Sequence, residues 1–124
     1  MRQTPEEFEQ MLKDQIAAAE KKANAIKELV ERLTSARVSG TDSNQDVEVE
    51  VNSDGRMTKI SIDDNGMRGS ARELEQAIME AYADAGRNMA TFVREHVAQD
   101  FKDEGGAIEA YAATVEPVLN SLGR

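Results

Sequence analysis

The stretch Asp46–Asp64, DVEVEVNSDGRMTKISIDD, decides the fold. Val47, Val49 and Val51 alternate with Glu48, Glu50 and Asn52, the period of a half-buried strand. Asp54-Gly55 supplies a pair that tolerates positive φ in a tight hairpin. Ile60 and Ile62 then continue the apolar face, with Lys59 and Ser61 opposite. A hairpin this small gains too little buried area alone, so it needs helices and a second chain to cover it.

Upstream, Thr34–Gly40 (TSARVSG) leaves the helical period and is expected to form a first strand after a short break. Thr41-Asp42-Ser43-Asn44-Gln45 is turn chemistry throughout. The predicted sheet is therefore a three-stranded antiparallel meander with one apolar and one polar face. The polar face carries acids and lacks the aromatics that stack bases, which makes it a poor nucleic-acid platform.

Helices flank the meander. Thr4 is a plausible N-cap, Pro5 suits the first helical position, and Glu6 and Glu7 complement the helix dipole. Leu12, Ile16, Ala19, Ala23, Ile26, Val30 and Leu33 then recur at spacings of 4, 3, 4, 3, 4 and 3, a heptad seam. The seam fits one face of a packed helix, antiparallel packing on the second long helix, or a helix–helix dimer. Lys13, Lys21, Lys22, Lys27 and Arg32 lie off it, either as a solvated face or as phosphate contacts. Glu9/Lys13 and Glu28/Arg32 have the acid-first i,i+4 order that supports an exposed helix.

Downstream, Asp63–Gly69 reads as a loop and Ser70-Ala71-Arg72-Glu73 as a capping box. Leu74, Ile78, Ala81, Ala85, Met89, Phe92 and Val97 mark a second long helix, with Gly86 as a close-packing position or a soft point. Gly105-Gly106 is expected to end it. Ile108, Tyr111, Val115, Val118 and Leu122 form a shorter helical pattern interrupted by Pro117, read as a docked helix or a mobile arm. The fold class is α+β: long helix, three-stranded meander, long helix, short C-terminal helical extension. Residues 1–104 form the domain and 105–124 the extension.

Composition narrows function. One domain fits 124 residues, and 4% aromatics with no Trp leave a thin core that favours dimerisation. No Cys is present, which excludes disulfides, thiolate metal sites and a Cys nucleophile. His96 is the single histidine and reads as structural or solvated. Asp63-Asp64-Asn65-Gly66 lacks the ligand spacing of a calcium loop. No phosphate-binding Gly pattern or nucleophile elbow appears, so no catalytic residue, cofactor, metal or small-molecule substrate is expected. Neither a membrane span nor a signal-peptide core is visible, and the expected location is the cytoplasm.

Net charge is −9, which opposes a simple basic nucleic-acid binder. Residues 1–34 are the exception, with six basic and seven acidic side chains. If any surface meets an anion, the first helix is the best placed.

The order of these motifs is similar to that of the YbaB/EbfC family of bacterial nucleoid-associated proteins. The resemblance runs through Met11-Leu12-Lys13, Val38-Ser39-Gly40 and Val47, Val49 and Val51-Asn52. It continues through Gly55, Ile60 and Ile62-Asp63 to Leu74-Glu75, Ile78, Ala81 and Asp84-Ala85, covering roughly residues 8 to 97. It implies a homodimer centred on its sheets with helices projecting like tongs, binding DNA with little sequence preference in the nucleoid. The implied contacts are electrostatic, from Lys13, Lys21, Lys22, Lys27 and Arg32, with Arg87 and Arg94 secondary.

Three departures point elsewhere. Thr41–Gln45 replaces the family's Gly-rich turn, Asp64 stands where a proline commonly follows, and the segment after Gly105 is longer than the core needs. These resemble an actinobacterial offshoot with type VII secretion-associated relatives. The alternative function is thus a protein-interaction adaptor, working through the helical arms or Tyr111–Leu122 without DNA.

Overall fold

The structure, a computed structural model, describes residues 4–100 and 106–123. In chain order it comprises α1 (Pro5–Ser35), β1 (Val38–Thr41), β2 (Val47–Val51), β3 (Met57–Ile62), a 3-10 turn (Asp64–Met67), α2 (Ala71–Asp100) and α3 (Gly106–Asn120). The α+β order expected from the sequence is the one observed. The chain forms two compact units, Met1–Glu31 and Arg32–Arg124.

The first unit is the body of α1. Its start is a reciprocal capping box: the Glu7 N–H donates to Thr4 Oγ1 and the Thr4 N–H to Glu7 Oε2, both at 3.2 Å. Along the heptad seam Leu12 and Ile16 stay exposed, Ile16 by 57%.

The second unit holds the sheet. Strand order is β1-β2-β3, antiparallel throughout, with Gly40 opposite Val49 and Val49 opposite Ile60. α2 packs over β1 and β2. Val47, Val49 and Val51 are sealed beneath Ala81, Ala85 and Met89, all essentially fully buried. Small alanines on α2 let the helix approach closely. At Gly40 the approach is tightest, since a Cβ there would overlap the Ala85 backbone.

Three local expectations change. α1 continues through Thr34 and Ser35, so the break before β1 is only Ala36-Arg37. The Arg37 guanidinium accounts for the clean stop, donating to the Ala36 carbonyl at 2.8 Å and the Thr34 carbonyl at 3.4 Å. The β2–β3 turn is wider than a two-residue hairpin. Its ends close through the Asn52 N–H on the Arg56 carbonyl, and Asn52 Oδ1 accepts from the Asp54 and Arg56 N–H groups. Gly55 alone takes positive φ there, at 85°.

The third change is at the C-terminus. α3 runs through Pro117 to Asn120 without the expected interruption, and of the two sequence readings it is the docked helix, on α2, that is observed. Leu119 is fully buried and supplies the packing that holds the turn after the proline. The expected end of the second helix near Gly105 lies outside the described residues.

Candidate nucleic-acid interface

Lys13, Lys21, Lys22 and Lys27 sit on α1 within the first unit, and all are exposed. Arg32 is in the last turn of α1, where its charge complements the helix C-terminus, and falls in the second unit. At about 100° per residue, Lys21 and Arg32 point away from the seam, Lys13 and Lys27 flank it on one side and Lys22 on the other. Lys13 and Lys27 are about 21 Å apart along the axis, a reach of several base pairs. Glu6, Glu9, Glu20, Glu28 and Glu31 share these faces. The helix therefore offers spaced cations on a mixed-charge surface rather than a continuous basic stripe.

Arg87 and Arg94 lie on α2 in the second unit, and each has an acidic partner. Arg87 Nη2 is 3.3 Å from Asp84 Oδ1. Arg94 Nε is 3.2 Å from Glu116 Oε1 on α3. The two differ in kind, because Asp84 already has structural work: its Oδ2 accepts the Thr41 N–H at 2.9 Å.

That bond belongs to a series the spacing of α2 could have revealed. Glu80, Asp84 and Asn88 recur every four residues and fall on one helical face. Glu80 Oε1 accepts the Ser43 N–H at 2.6 Å, and Asn88 Nδ2 donates to the Ser39 carbonyl at 2.9 Å. Ser39 and Thr41 present the outer groups of β1 and Ser43 lies in the turn just beyond, so this polar row closes one edge of the sheet.

The opposite edge is treated differently. β3 is the other outer strand, and Met57, Ile60 and Ile62 on its apolar side are each about two-fifths exposed. A bulge between Glu50 and Val51 keeps Met57 opposite Val51, on the same face as the two isoleucines. Met67, just beyond, is 63% exposed. On the other face Glu50 opposes Lys59 and Glu48 opposes Ser61. Acids dominate that surface, and it would repel phosphate.

His96 is structural. Its ring stacks on Phe92 with centroids 4.0 Å apart, and Nδ1 lies 2.9 Å from the Phe92 carbonyl oxygen. Among the described residues no group of acids and histidine is placed to hold a metal, and no helix is long and apolar enough to cross a membrane.

A family model described as the YbaB/EbfC DNA-binding family matches residues 5–103, from the start of α1 past the end of α2. The chain belongs to the YbaB/EbfC DNA-binding family. Membership implies a nucleoid-associated DNA-binding protein and places the chain in a non-enzymatic family. No curated protein matches the chain. The family match stops before α3, so the docked C-terminal helix lies beyond the shared core.

Proposed function

We propose that the protein is a homodimer that binds DNA through backbone electrostatics, with little sequence preference, in the nucleoid of the cytoplasm. The observation that carries this reading is the family match over α1, the sheet and α2, combined with the exposed lysines of α1. Lys13, Lys21, Lys22, Lys27 and Arg32 are the assigned phosphate contacts, doubled across the dimer. Arg87 and Arg94, on α2, are secondary candidates. Each assigned contact is a charge on a flexible stem, a phosphate contact without base readout.

Dimerisation follows from surfaces that a single chain leaves open. Leu12 and Ile16 on α1 and the Met57–Ile62 row on β3 are exposed, while the β1 edge is closed by α2 side chains. An exposed apolar edge strand is a pairing site unless something covers it. A second copy covers it symmetrically.

The net charge of −9 and the acidic sheet face favour a second reading, a protein-interaction adaptor of the type VII secretion-associated kind. A gel-shift titration with duplex DNA from about 50 to 200 mM salt separates them. The DNA reading expects a shift at micromolar protein in low salt that fades steeply as salt rises. No shift under those conditions would leave only the adaptor.

A further inference from the structure

α3 is held on α2 by shape. A Cβ on Gly86 would overlap the Leu119 carbonyl oxygen and lie 2.9 Å from Leu122 Cβ, so only glycine admits the crossing. Leu122 reaches on to Gly55 of the β2–β3 turn, where an added Cβ would sit 3.2 Å from both its Cδ atoms. The Tyr82 hydroxyl donates to the Gly55 carbonyl at 2.6 Å and pins the same turn. Gly123 takes φ of 78° and passes close to Met79 and Ala83. Glu116 stands one turn before the buried Leu119, so its position follows from this anchoring.

We infer that the segment Gly106–Gly123 is an electrostatic cover on α2: it seats the Glu116 carboxylate on Arg94 and withdraws that cation from phosphate. The inference rests on the DNA reading above. Two features make Arg94 the cation it governs. The Arg94 side chain remains 58% exposed while paired, so a phosphate competes with Glu116 for it directly. Arg87, by contrast, pairs within its own helix to a carboxylate that also closes the β1 edge. The carboxylate on Arg94 comes instead from a helix outside the family core, and can be neutralised without touching the sheet.

The test is a set of full-length variants titrated with fluorescent duplex DNA at low salt: Glu116→Gln, Arg94→Gln, the two together, and Glu75→Gln as a control acid on α2. An exposed pair of this kind corresponds to about a threefold gain in affinity for Glu116→Gln. The gain disappears when Arg94 is already Gln, and Glu75→Gln stays close to the parent. A parent that binds DNA, with Glu116→Gln no tighter or with the same gain from Glu75→Gln, overturns the cover and leaves the DNA reading standing. Absence of binding by every variant overturns both.

Discussion

Gly40 shows how one residue sets a helix on a sheet. Any side chain there would meet the Ala85 backbone, which cannot swing away as a side-chain tip can. Gly40→Ala is expected to destabilise the protein by about 3 kcal/mol, read as a lower urea midpoint with little change in slope. Gln45 shows the opposite case. It holds φ of 59° without being glycine, in the turn between β1 and β2. The turn tolerates this because the buried Asp42 carboxylate accepts the Asp46 and Val47 N–H groups at 2.8 and 2.9 Å. Gln45→Gly should relieve the left-handed strain and raise stability by about 0.5 to 1 kcal/mol, after the greater chain entropy of glycine is subtracted. A lower melting temperature for this variant would contradict that reading.

Elements were legible where the pattern was periodic. The Val47–Val51 and Ile60–Ile62 alternation marked the strands and their order, because one face is buried by a helix and a one-residue slip would expose it. Element ends were less legible. Thr34 and Ser35 have weak helix propensity, yet they stay helical because Leu33 is buried and Arg37 satisfies the last carbonyls. Pro117 reads as a breaker in isolation, and the burial of Leu119 overrides it. The spacing of Glu80, Asp84 and Asn88 puts them on one helical face, but their backbone partners on and beside β1 are set by tertiary packing and are not visible in sequence. Asp84→Ala leaves the Thr41 N–H without its acceptor and is expected to cost about 1 to 2 kcal/mol. In hydrogen exchange, protection should fall first at Thr41; unchanged protection there would show that α2 does not close this edge.

For the whole molecule, the family match runs over α1, the sheet and α2, while the charges assigned to DNA lie on the helices. The candidate site was legible only as a set of cations off an apolar seam. Solvated and phosphate-contacting lysines look alike in sequence, and the partners of Arg87 and Arg94 depend on tertiary packing. The same scale governs assembly. Light scattering should give twice the chain mass of 13.6 kDa. Ile60→Lys and Ile62→Lys together should shift it toward the single-chain value, because they place charge on the open β3 face. A dimer unmoved by that pair would place the interface elsewhere.

The most direct test of DNA binding by α1 is the salt dependence of affinity for duplex DNA, compared between the parent and a Lys21→Glu, Lys22→Glu double variant. The account predicts a steep, linear fall of log affinity with log salt for the parent, and a shallower slope with weaker binding at every salt for the variant. Equal slopes and equal affinities would contradict the assignment of DNA contact to these lysines.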